Sequence, residues 1–169
     1  MKNTIKVFVL VALTLAAMSV SAQVKLGHIE TQKLIQAMPE WTAAQKTFEE
    51  EQKKVNTELN SLREQFQTKL AEYSEKMKTY SEAMRATTEE ELQGLQQRIQ
   101  RFQETAMAQL EKTQNDLRQP VMEKALNAIK EVGKENGFTY IFDMNAGILY
   151  AAENSQDVLP LVKKKLGLQ

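Results

Sequence analysis

Between Trp41 and Val132 the apolar residues recur at helical spacing along two long tracts with a single break between them. Such a pattern restricts the chain to long helices that bury a narrow seam, and rules out one compact core. The first tract presents Trp41, Ala44, Phe48, Val55, Leu59, Leu62, Phe66, Leu70, Tyr73, Met77, Tyr80 and Met84. Trp41, Phe48, Val55 and Leu62 keep a seven-residue repeat, whereas Leu59 to Leu70, Leu62 to Tyr73 to Met84, and Phe66 to Met77 keep eleven. A seven-residue repeat imposes left-handed supercoiling and an eleven-residue one removes it, so the outer half is predicted to be straighter than a standard coiled coil. The seam stops near Arg85-Ala86-Thr87, and Thr88 with Glu91 reads as a capping box that opens a second helix. That helix presents Leu92, Leu95, Ile99, Phe102, Ala106, Leu110, Leu117, Val121, Ala125, Ala128 or Ile129, and Val132, and ends at Gly133 to Gly137. Two helices of about 65–70 Å each, with a tip at about 85–88, make an antiparallel hairpin. Pro120 removes one backbone bond and is predicted to kink the returning helix near its base.

The flanks carry a different period. Val24 to Glu30 alternates as a strand does, with Val24, Leu26 and His28 on one face, and Thr31 caps a short helix through Ala37. Pro39 suits a first helical turn and pushes Met38 out of helical angles, so the chain restarts there. After Gly137, the runs Phe138 to Met144 and Ile148 to Ala152 around Asn145-Ala146-Gly147 read as a β-hairpin. A last helix, Gln156 to Leu166, is capped by Asn154 or Ser155 and ended by Gly167. Leu26, Ile29, Phe138, Tyr140, Ile141, Phe142, Ile148 and Tyr150 are the candidates for the core of this body and for its contacts with other copies, because so small a sheet needs added strands or packing.

Lys2 and Lys6, the apolar run Val7 to Ala17 and the small residues Val20-Ser21-Ala22 form a signal peptide with cleavage near Ala22/Gln23. The apolar run is far shorter than the roughly 20 residues that span a bilayer. Cleavage removes two lysines from 22 basic and 22 acidic residues, leaving a net charge near −2, which argues against nucleic acid as a partner. The chain contains no cysteine, so disulfide and thiolate chemistry are absent. His28 is the sole histidine and no phosphate-loop pattern occurs, so no catalytic, cofactor-binding or metal residue is assigned and an enzyme is not expected.

The order of elements resembles the Skp, or OmpH-like, family of periplasmic chaperones for outer-membrane proteins. The residues that carry the resemblance are KLGHIE, TQKLIQAMPEW, the charged hairpin, PVMEKALNAIKEVGKENGFTYIFDMNAGILYA and DVLPLVKKKLG, and together they span nearly everything after Ala22. The fold class is then α+β and mostly α, with a long helical hairpin projecting from a small β-strand body that oligomerises. Its parts are 1–22 (signal peptide), 23–40 (first strand and short helix), 41–119 (hairpin) and 120–169 (kinked helix end, β-hairpin and closing helix). The resemblance implies a periplasmic homotrimer that encloses unfolded outer-membrane proteins without ATP. Tyr73, Met77, Tyr80, Met84 and Met107 are the candidate client contacts, since Met and Tyr give adaptable apolar surface; the other reading of each is packing within the seam. Some relatives are strongly basic, but here Trp41 to Arg118 holds twelve basic and fourteen acidic residues, so no lipid site carries over. Lys163-Lys164-Lys165 is the one basic run and suits a solvated helix end. Membrane contact is at most peripheral. The competing function is a structural or adaptor hairpin that docks a folded envelope partner.

Overall fold

The computed structural model describes residues 24–148, 150–152 and 155–168, so the leader expected over 1–22 lies outside the described residues. Strand β1 is Leu26–Ile29, and three helices follow: α1 (Thr31–Gln36), α2 (Pro39–Lys76) and α3 (Glu82–Glu135). Strand β2 is Tyr140–Asp143, a 3-10 turn covers Met144–Ala146, β3 is Gln156–Asp157 and helix α4 is Leu159–Lys165. The chain forms two compact units, one made of residues up to 31 with 128–167 and the other of 32–127.

The 32–127 unit is the helical hairpin. Met38 is extended at ψ 128° and α2 begins at Pro39, because the proline ring excludes a helical residue before it. Glu40 pairs with Lys124, Lys69 with Glu91 and Tyr73 with Glu89, so position falls along α3 as it rises along α2 and the helices are antiparallel. The arms are unequal, 38 residues in α2 and 54 in α3, which at 1.5 Å per residue is about 57 and about 81 Å. Pro120 stands inside α3, on an exposed face where water can solvate the carbonyl it leaves without a donor. The tip expected at 85–88 lies instead at 77–81. There Thr79 Oγ1 donates to the Lys76 carbonyl, and Ser81 Oγ accepts from the Met84 amide as an N-cap would. Thr88 is already helical, its hydroxyl bonded back to the Met84 carbonyl, so it makes no capping box.

The other unit is a three-stranded sheet ordered β2-β1-β3, with both outer strands parallel to β1. The β-hairpin expected between 138–144 and 148–152 is not seen among the described residues, where β2 pairs with β1. Asp143 Oδ1 accepts the amides of Asn145 and Thr31, which turns the chain into the 3-10 turn instead of a tight reversal. The second partner of β1 comes from 156–157, within the stretch expected to be helical. Helix α4 therefore starts at Leu159, whose amide bonds to Asp157 Oδ1, rather than at Gln156. Gly137, at φ 67°, ends α3 as anticipated: the Phe138 amide reaches the Gly133 carbonyl at 2.9 Å and the Gly137 amide reaches that of Lys134 at 3.3 Å.

Within this unit the buried apolar residues are Ile29, Ala128, Val132, Val158 and Val162. Gly27 and Ile29 point into it from the central strand. A Cβ on Gly27 would lie 2.9 Å from Phe138 Cε1 and 3.0 Å from Val158 Cγ1, so the sheet closes on its packing layer through a missing side chain. Lys165 joins the helices by bonding Glu131 at 3.1 Å and Glu135 at 2.6 Å, which raises its pKa, mainly through the Glu135 bond.

Candidate functional site

A helix with one neighbour can hide only a thin strip of its surface, and the hairpin shows the consequence. Ala44, Leu62, Leu92 and Ala106 are buried, whereas Phe48, Val55, Leu59, Phe66, Leu95, Ile99, Phe102 and Leu110 are only half-buried. Apolar surface thus remains open beside the seam, at two hollows in particular. One, of about 270 Å³, is lined by Trp41, Ala44, Phe48, Leu117 and Arg118. Another, of about 610 Å³, lies among Val55, Leu59, Phe102, Ala106, Met107 and Leu110. A third hollow is polar and carries both signs of charge, with Glu64, Lys69, Glu72, Glu91 and Arg98.

The five residues singled out on the hairpin fall in two places. Tyr73, Met77, Tyr80 and Met84 gather at the tip, and Met107 borders the larger apolar hollow. Tyr73 and Tyr80 are half-buried, with ring centroids 6.3 Å apart. The Tyr73 hydroxyl donates to Glu89, and that bond to a carboxylate raises its pKa. Met77, Met84 and Met107 are exposed by 41, 54 and 74%, so none of the three is consumed by the hairpin's own seam. Ion pairs flank the tip: Lys76 bonds Glu72 at 2.9 Å, which raises the lysine and lowers the carboxyl.

In the sheet unit, only Ile29 of the eight residues singled out is a buried core residue. Phe138, Ile141 and Ile148 are half-buried, and Leu26, Tyr140, Phe142 and Tyr150 are exposed. Register explains the division. Leu26 stands opposite Tyr140 and His28 opposite Phe142, so these share one face, while Gly27, Ile29 and Ile141 share the other. The first face carries stacked Tyr140 and Phe142 rings 6.0 Å apart, and among the described residues it leaves Leu26, Tyr140 and Phe142 exposed. Val158, just before α4, and Val162 within it complete the core, a contribution that sequence reading missed; their signal was the four-residue spacing of two valines beside Pro160.

Polar groups here serve structure. His28 Nδ1 and Ser155 Oγ are 2.8 Å apart across the sheet. Burial alone would push the Asp143 carboxyl up, but its bonds from Asn145 and Thr31 outweigh that and hold it below the usual carboxylate range. Among the described residues no cluster of His, Cys, Asp and Glu could hold a metal, and no helix is long and apolar enough to cross a membrane.

The family described as outer membrane protein (OmpH-like) matches residues 25–166, nearly the whole of this architecture. The chain belongs to the OmpH-like family. A solved OmpH-like protein from Caulobacter crescentus CB15, described as an outer membrane chaperone, aligns with a TM-score of 0.74 at 16% identity, covering 83% of this chain and 82% of that one. At that identity the likeness speaks to the fold: long paired helices with a small sheet are the OmpH-like arrangement. A comparison with curated proteins returned no match.

Proposed function

We propose that this OmpH-like protein is a periplasmic, ATP-independent holdase that keeps unfolded outer-membrane proteins soluble by weak apolar contacts along its hairpin. The observation that carries the reading is the open seam, with Met77, Met84 and Met107 exposed beside half-buried Tyr73, Tyr80 and Phe102. Unbranched thioethers and amphipathic rings fit many sequences equally well, which suits an unfolded client and not a single folded partner. Such contacts need no nucleotide and no catalytic group. The chaperone description of the Caulobacter relative supports the same reading, and the signal-peptide pattern before Gln23 supports the location.

Self-association through the sheet is the second half of the proposal. Parallel sheets are normally covered on both faces, and the open apolar face of Leu26, Tyr140 and Phe142 supports a cover made by other copies. Three copies is the number that the family resemblance implies. Native mass spectrometry of residues 23–169, alone and after mixing with a urea-unfolded barrel protein, tests both halves. A trimer that takes up one client chain and keeps it soluble is expected. A trimer indifferent to unfolded chains refutes the holdase and favours a docking scaffold, and a monomer refutes the assembly.

A further inference from the structure

We infer that Met77, Met84 and Met107 form an oxidation site through which a peroxide switches the hairpin from a client-holding to a client-releasing state. The inference rests on the holdase reading and adds a regulator to it. The chain has no cysteine, so a peroxide meets no thiol and the thioethers are its first targets. The structure grades those thioethers by exposure. Met77 opens the turn at 77–81, Met84 lies just after it and Met107 borders the apolar hollow, all three exposed by 41% or more, whereas Met122 and Met144 are half-buried and Met38 is 1% exposed. In the reaction the thioether sulfur loses two electrons, the peroxide O–O bond breaks, one oxygen becomes the sulfoxide oxygen and the other leaves as water. The new oxygen is a strong acceptor. Pressing it against an apolar client segment strips its water and leaves it without a donor, so contacts that favoured binding now oppose it. Because these three side chains stand outside the packed core, their oxidation leaves the helices intact, and enzymatic reduction of the sulfoxides restores the surface.

The test treats the mature protein with graded hydrogen peroxide, maps sulfoxides by peptide mass spectrometry and measures retention of an unfolded barrel protein before and after. Met107, Met84 and Met77 are expected to oxidise well before Met38. Retention is expected to fall about tenfold with helix content unchanged, the size expected when a few partly buried apolar contacts are lost. The M77L/M84L/M107L variant, compared with itself, is expected to hold the same retention before and after peroxide, whatever its starting value. Oxidation of Met38 at the same rate, loss of helix, or an equal fall in the leucine variant overturns the inference. Unoxidised protein that retains no client overturns the holdase reading instead, and with it the release step, while the order of oxidation still decides whether the three sulfurs are the exposed set.

Discussion

Replacing Gly27 by alanine tests the packing of the sheet unit at its tightest point. The added Cβ would stand 2.9 and 3.0 Å from two Phe138 ring carbons and 3.0 Å from Val158 Cγ1, where carbon atoms prefer about 3.5–4.0 Å. Neither neighbour yields easily. Val158 is fully buried, and the Phe138 ring lies under the Lys25 ammonium, 4.2 Å from its centroid, while that ammonium also bonds the Asn136 carbonyl at 2.8 Å. Forcing a methyl group into such a site costs about 1–3 kcal/mol. Restricting the unfolded chain at a former glycine returns about 0.4–1 kcal/mol, so a net loss of about 1.3 kcal/mol is expected from the midpoints, and about 2.6 kcal/mol at most. Gly94→Ala is the control, since nothing lies within 4 Å of its added Cβ and its helical position favours alanine by about 0.5–1 kcal/mol. Urea unfolding at one fixed protein concentration should move the two variants in opposite directions. Gly27→Ala as stable as the parent, or shifted upward like Gly94→Ala, would refute the close approach of Phe138 and Val158 to the central strand.

Three further outcomes are expected. Asp143 has a depressed pKa in the folded chain, so its contribution is present above its unfolded value near 3.8 and is lost as pH falls through the lower folded value; acid unfolding of Asp143→Asn should lack that component, and parallel acid curves for the two proteins would contradict it. Tyr80→Ser with Met84→Ser should speed client release several-fold with native mass unchanged, as read by dilution of a labelled barrel protein; an altered mass would assign these residues to assembly. Phe142→Asp, on the uncovered face and 45% exposed, should cost the single chain little helix content yet abolish self-association in sedimentation; an oligomer that survives would place the interface elsewhere.

Periodicity revealed the helix pair because a long seam is a repeated signal, and Pro39 and Gly137 marked ends by backbone sterics that no tertiary contact can override. It misplaced the tip for an equally physical reason. Tyr73, Met77, Tyr80 and Met84 keep spacings of four, three and four through the turn at 77–81, so the apolar pattern runs on where the helix stops. The break is written in the hydroxyls of Thr79 and Ser81, which local hydrogen bonding uses and hydropathy cannot see. The sheet was harder to read. Ile148 to Ala152 has strand-like composition, but the second partner of β1 is the polar pair Gln156-Asp157, chosen by backbone pairing with Gly27 and His28. Propensity carries no record of a partner more than a hundred residues away. The same gap separates the listing of apolar body residues from knowing which face of the sheet they occupy, since one step of register exchanges Tyr140 and Phe142 for Ile141.

That distance has a consequence for how the protein comes into being. The contacts of the hairpin close around its own turn, Tyr73 with Glu89 and Lys69 with Glu91, and can form as soon as those residues exist. Strand β1 is made first but waits for Tyr140–Asp143 and Gln156–Asp157, among the last residues to appear. Closing so long a loop is slow, and nothing rewards it until both partners arrive. The order of maturation is therefore set by topology: hairpin first, sheet last. A chain cut short before residue 140 keeps the residues of α1, α2 and α3 but lacks α4 and leaves β1 without either neighbour, so only a finished polypeptide can form the face that carries Leu26, Tyr140 and Phe142. The sheet acts as a completeness check built into the fold.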